Sequence, residues 1–284
     1  MTRGRKFRWL LWHPHEKLWN WRLVNVVRRL LRRRAGGWAV SAIVAVDSLI
    51  LAARVIMRRT RHPRRVPPRP VLYLDCGLHK TGLQVRCVHD WFAGGRNLQI
   101  VGFEASSAHF RDAVSALADL PEVELHQVAL VGPQYEGDTV ALYRSGSNGA
   151  ADSLFPQRGT EYDLVPAGRL SQILGGYALD ELTVILRMNI EGAEQFVIDD
   201  LVEAGIRIDG YYGMWDDLSK IDPQADDRFR ARLRATGIAN VTFNDRDLRH
   251  RLRRWAIRFD METSMRAGVA GASRGHAGPL ATRH

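Results

Sequence analysis

Leu182-Thr183-Val184-Ile185-Leu186 runs straight into Arg187-Met188-Asn189-Ile190-Glu191-Gly192-Ala193-Glu194, and that junction decides the fold. A short apolar run with β-branched residues, bounded by turn formers, reads as a buried strand. The polar turn behind it passes into a helical pattern over Ala193–Gly205. A strand that ends this way and feeds a helix is how open α/β sheets build ligand crevices. Two upstream segments repeat the arrangement. Val71-Leu72-Tyr73-Leu74-Asp75-Cys76-Gly77 ends in a glycine turn, and Leu98-Gln99-Ile100-Val101-Gly102-Phe103-Glu104 ends on a lone carboxylate. Three buried strands, each delivering polar groups at its carboxyl end, predict a cofactor site.

Three motifs in these segments resemble the FkbM-type class of S-adenosylmethionine-dependent methyltransferases, over roughly residues 70–262. Asp75-Cys76-Gly77-Leu78-His79-Lys80-Thr81-Gly82 looks like the family's Asp-x-Gly-x-x-x-Gly loop, with Thr81 in place of the second glycine and Gly82 one residue late. Glu104 is similar to the acid that ends the family's second strand. Arg187–Glu194 resembles Lys-x-Asp-x-Glu-Gly-Ala-Glu, with Arg187 for Lys and Asn189 for Asp, while Glu191-Gly192-Ala193-Glu194 is intact. The resemblance implies a Rossmann-like class I sheet, mostly parallel with helices on both faces, and an antiparallel closing strand. It implies S-adenosylmethionine as cofactor, held by Asp75, Gly77, Thr81, Gly82, Glu104 and Ala105.

The chemistry of these residues suits that reading. A glycine at 77 admits close approach of backbone amides to a ligand, which a Cβ would block. Asp75 is expected to orient the loop or to reach the cofactor's amino group through water. A carboxylate at 104 is able to accept from both hydroxyls of a ribose; taken alone it is equally a helix cap or a surface acid. A dinucleotide enzyme would use Gly-x-Gly-x-x-Gly, which Gly77 to Gly82 does not supply. Methyl transfer to oxygen needs a positioned acceptor and a base for its proton. Asn189 only hydrogen-bonds, so Glu191 and His79 are the candidate bases. Their bland counterparts are a cap on the helix beginning at Gly192 for Glu191, and an ordinary loop residue for His79. His109 and His126 lack metal-ligand spacing, and no metal site is expected.

Charge divides the chain. Residues 1–70 hold 18 of the 41 Lys and Arg against Glu16 and Asp47, a net of +16, while the remainder carries a net of −6. A mildly acidic domain thus wears a strongly basic extension. Asn20–Arg34 reads as a basic amphipathic helix, Trp38–Met57 is the most apolar stretch, and Arg58–Pro70 is a Pro- and Arg-rich linker. Asp47 and Arg54 share one stripe of the apolar stretch, which favours lying in a membrane interface over spanning it; packing on the domain itself ranks second. The expected organisation is an extension over 1–69 that meets an anionic membrane surface, a methyltransferase domain over 70–265, and a disordered tail over 266–284. With only Cys76 and Cys87, a disulfide framework is not expected and a reducing, cytoplasmic setting is.

Between the motifs, helices are expected near 82–93, 107–120 and 226–235. A third strand is read over Val123–Val131, an added β segment over Thr139–Arg144, and a further strand over Ile208–Met214. A polar loop spans Ser145–Leu154. Asn240–Asn244 and Ala256–Met261 read as closing strands around a basic helix at Arg246–Trp255. Tyr211-Tyr212-Gly213-Met214-Trp215 offers aromatic faces suited to sugar rings, or to a packed core. The function expected is O-methylation of a sugar hydroxyl on a glycan or glycolipid at the cytoplasmic membrane face. Two alternatives stay open: a catalytically degenerate membrane-bound partner subunit, and a nucleic-acid-binding methyltransferase. The second is disfavoured by the Leu, Val and Trp interleaved with the arginines. The sequence does not indicate an oligomeric state.

Overall fold

The computed structural model describes residues 69–93, 97–145, 152–156, 161–213 and 250–271. It also describes helical stretches at 45–46, 48–53 and 55–57, and short runs or single positions at 218, 224, 227–229, 231, 240–241, 243 and 248. The expected helix at 20–34, most of the linker, positions 146–151 and 214–217, and the tail from 272 lie outside the described residues.

In chain order the elements are β1 (Val71–Cys76), α1 (Leu83–Phe92), β2 (Leu98–Glu104), α2 (Ser107–Ala116), β3 (Val123–Gln127), β4 (Ala129–Leu130), β5 (Thr139–Tyr143), β6 (Tyr162–Gly168) and α3 (Leu170–Ile173). After two short 3-10 turns come β7 (Thr183–Met188), α4 (Glu194–Glu203), β8 (Gly210–Gly213), β9 (Asn240–Val241) and α5 (Arg251–Gly271). One sheet of order β3-β2-β1-β7-β8-β9 organises the molecule, and all its pairings are parallel. This is a Rossmann-like α/β fold. Parallel strands covered on both faces are apolar along their whole length, and every residue of β1 and β7 is buried.

Side chains alternate between two cores. Val71, Tyr73 and Ile185 face one apolar layer, which includes Val85 and Val88 of α1 with Ile257 and Met261 of α5. Leu72, Leu74, Val184 and Leu186 face the other, beneath Val197, Ile198 and Leu201 of α4. From β1 the chain steps outward to β2 and β3, then returns to β7 on the other side of β1. The order therefore reverses between β1 and β7, and the crevice outside their carboxyl ends is where such sheets bind ligands.

Four expectations are corrected. Ala256–Met261 is helix, not strand: Arg253, Ala256, Ile257, Asp260, Met261 and Ser264 are buried, a spacing of three and four. β9 pairs parallel with β8, so among the described residues the expected antiparallel closing strand is not found. The expected third strand breaks at Val128, whose N–H bonds to the Glu104 carbonyl. β4 then leaves the main sheet for a smaller one of order β4-β6-β5, in which β6 escaped the sequence reading. Finally, α5 continues to Gly271, through the first residues of the expected tail.

Of the apolar stretch before the linker, Leu51 and Val55 are buried in the first core, so its inner side packs on the domain. Among the described residues no helix is long and apolar enough to cross a membrane.

Candidate functional site

Three loops meet at the reversal point. The last paired residue of β1, Cys76, lies level with Phe103 of β2 and Met188 of β7. Gly77, Glu104 and Asn189 therefore emerge together at the carboxyl edge. Gly77 donates to the Phe103 carbonyl at 2.9 Å, and Asn189 donates from its backbone to the Cys76 carbonyl at 2.9 Å. Gly77 has φ +90°, and a Cβ there would stand 2.3 Å from the Asn189 carbonyl oxygen. Only glycine allows the two loops to close on one another here.

Behind this edge lies a buried polar network. Arg187 Nη1 donates to Asp75 Oδ1 at 2.6 Å and to the Gly77 carbonyl at 2.7 Å. Its Nε reaches the Phe243 carbonyl at 3.4 Å. The Tyr73 hydroxyl donates to Asp75 Oδ2 at 3.0 Å, and burial pushes that phenol's pKa well up, with the Asp75 charge adding to it. Asp75 thus orients the first loop through Arg187, and its carboxylate is sealed from the crevice. In the resembling pattern Arg187 stands where lysine is found. Its clamping role depends on three carbonyl and carboxylate partners brought from distant segments, which no local pattern encodes.

Glu104 ties the first two loops together. Its Oε2 accepts the His79 N–H at 2.8 Å and its Oε1 accepts the Ser106 N–H at 2.9 Å. A carboxylate offers about four acceptor positions, so each oxygen retains capacity for a ligand hydroxyl. Burial raises its pKa above the ordinary 4.5, against the lowering effects of the two amides and of His109. His79 sits in the left-handed region at φ 55°, with its ring centroid 4.8 Å from that of His109. His109, mostly buried on α2, is a site neighbour that the sequence reading considered only as a metal ligand. Among the described residues no group of His, Cys, Asp and Glu has metal-binding geometry.

Thr81 is exposed on the turn before Gly82. Gly82 has φ +52°, and a Cβ there would strike Leu117, so it serves the turn into α1. Ala105 packs against the cluster of Ala129, Leu142 and Val165 beside the smaller sheet.

The third loop corrects the cap reading of Glu191. Glu194, only 1% exposed, accepts Ile190 N–H at 2.9 Å and Gly192 N–H at 2.8 Å. Glu194, the first residue of α4, therefore satisfies two amides of the turn that leads into the helix, and the N-cap position is Ala193. Glu191 instead stands in the left-handed region at φ 56°, a strained conformation for a residue with a side chain. Its carbonyl accepts the Ser153 hydroxyl at 2.9 Å. Ser153 is buried and bonded through its backbone to Tyr143 of β5, while Phe155 stacks on Phe196 of α4 at 5.8 Å. The segment 152–155 beside the smaller sheet thus packs against the third loop.

Tyr211 and Tyr212 do not join the site. Both are buried, Tyr212 donates to Asp260 Oδ2 at 2.7 Å, and burial pushes the Tyr211 pKa up. Core packing accounts for them.

No family model matches this chain, and no characterised protein or solved structure matches it either.

Proposed function

We propose that the chain is an S-adenosylmethionine-dependent O-methyltransferase acting on a sugar hydroxyl of a glycan or glycolipid at the cytoplasmic membrane face. The observation that carries this reading is Glu104. It is a carboxylate at the end of β2, beside the sheet's reversal point, whose two oxygens are aimed by loop amides and retain acceptor capacity. That chemistry suits a ribose diol, and glycine at 77 lets the first loop close against the Asn189 backbone beside it. The residues present therefore fit the cofactor, with Glu104 on the ribose and the Gly77–Gly82 loop beside the methionine portion.

When bound, the cofactor supplies an electrophilic methyl group. The chain supplies position and proton transfer. Arg187 and Asp75 hold the first loop against β7, which fixes the floor of the crevice. Glu191 takes the acceptor's proton, and His79 is the alternate base. Ser153 fixes the Glu191 backbone, and Asn189 orients the acceptor by hydrogen bonding.

Asn189 also motivates a second reading. Where the resembling pattern has an acid, this chain has an amide, as befits a partner subunit that binds the cofactor without transferring its methyl group. Methyl-labelled S-adenosylmethionine incubated with the full chain and a membrane glycolipid extract separates the two. Label in the sugar portion of the lipid fraction supports the enzyme. Cofactor binding without transfer supports the subunit, and no binding refutes both.

A further inference from the structure

We propose that the outer faces of the 45–57 helical stretch and of α5 together form a docking surface for an anionic lipid bilayer. The inference extends the membrane part of the reading above from the basic extension to the domain itself. Both elements bury their inner faces in the same core: Leu51 and Val55 from the first, Ala256, Ile257 and Met261 from the second. They thus lie on one side of the sheet, with their other faces turned outward.

The outer face of the first element is apolar where solvent should favour polar groups, and that of α5 sets apolar residues among arginines. On the first element Val46, Leu49, Ile56 and Met57 are each about half exposed, at 53, 58, 53 and 49%. The spacing marks one helical face, opposite Leu51 and Val55. On α5 the exposed apolar residues are Leu252 at 38% and Trp255 at 50%, with the Trp255 indole stacked on Phe259 at 5.3 Å. Six of the eleven large hydrophobics exposed among the described residues thus fall on these two elements. Scattered exposed apolar residues need no cause, but a concentration of them marks an interaction surface.

Charge selects the occupant. Arg251, Arg254 and Arg258 are exposed on the same side of α5 as Trp255, and Arg258 is paired with Glu262 at 3.3 Å. Arginine and tryptophan around an aliphatic face match an anionic interface, where headgroups meet the cations and acyl chains meet the apolar side chains. The basic segment 1–70 adds attraction of the same sign. A second copy seated by two-fold symmetry would oppose arginine to arginine. A nucleic acid would satisfy the arginines and leave the aliphatic face wet.

The test uses the full chain and vesicles of phosphatidylcholine with or without phosphatidylserine, read by co-sedimentation. Two variants, Leu252→Ser/Trp255→Ser and Arg251→Glu/Arg254→Glu/Arg258→Glu, alter only exposed side chains. Their folding is checked by thermal melting. We expect binding that requires phosphatidylserine and falls by roughly ten-fold or more in each variant. Wild-type binding that both variants retain overturns the docking face and leaves the membrane reading standing. No vesicle binding by the wild type overturns both. A duplex oligonucleotide that outcompetes the vesicles, with the same variants weakened, assigns the face to nucleic acid and also overturns the proposal.

Discussion

Asp75 and Arg187 are register partners on adjacent parallel strands, and their side chains meet at 2.6 Å with almost no solvent contact. Asp75 lies two residues before Gly77, and the same guanidinium nitrogen holds the Gly77 carbonyl. An ion pair welds the two halves of the sheet where their order reverses. Removing one partner leaves a buried charge unpaired, at a cost of about 3–5 kcal/mol. Arg187→Met should show that loss in denaturant unfolding, and Asp75→Asn added to it should recover part. A single variant within about 1 kcal/mol of wild type would remove the pair from any structural role.

Gly77→Ala should damage site and stability together. Its Cβ would fall 2.3 Å from a backbone oxygen, at a φ of +90° that side chains avoid. Neither strand moves cheaply, because both lie in the sheet centre. The expected outcome is a melting temperature lowered by several degrees and loss of cofactor binding. Wild-type affinity in this variant would separate the loop from the cofactor.

Glu104 predicts a pH dependence. Burial raises its pKa above 4.5, so within the range between its unfolded and folded values the fold binds more protons than the unfolded chain. The apo fold accordingly gains stability as pH falls through that range. Cofactor affinity moves oppositely, since protonation removes an acceptor from the ribose. Titrations between about pH 8 and 5 should show affinity declining earlier than an ordinary carboxylate allows. A flat profile would place the ribose elsewhere.

Glu191 is strained, is not the helix cap, and is fixed through its carbonyl to Ser153. Glu191→Gln should cut turnover strongly while sparing cofactor affinity, because a base matters in the transition state. Glu191→Gly should change stability by less than about 1 kcal/mol, since relief at positive φ offsets the entropy of glycine. It too should abolish turnover. Full activity in either variant would transfer the base role to His79. Asn189→Asp probes the degenerate reading: gained transfer favours decay from an acid, and lost transfer means the amide is fitted to its site.

The central sheet was legible because β1, β2 and β7 are continuous apolar runs that end in turn chemistry. The edge was harder. Ala256–Met261 mixes apolar and charged residues in near alternation, and only the burial of Arg253 and Asp260 reveals its helical period. β6 is half exposed, with Tyr162, Leu164 and Pro166 outward, and gave no strand pattern to read. Within the site, Glu104 and Glu191 stood out through their positions at strand ends. The division of labour between Glu191 and Glu194 did not, because two acids three residues apart differ only in which amides the fold turns toward them. Glu104 likewise binds two loop amides as well as any ribose.

Calorimetric titration of the full chain with S-adenosylmethionine, wild type against Glu104→Ala, bears most directly on the proposed site. The wild type should bind at a single site. The variant should bind more weakly by about 2–3 kcal/mol, the scale of lost charge-assisted hydrogen bonds, and melt somewhat lower because two amides lose their acceptor. No binding by the wild type, or equal affinity in a folded Glu104→Ala protein, would contradict a cofactor site at the β1–β2–β7 edge.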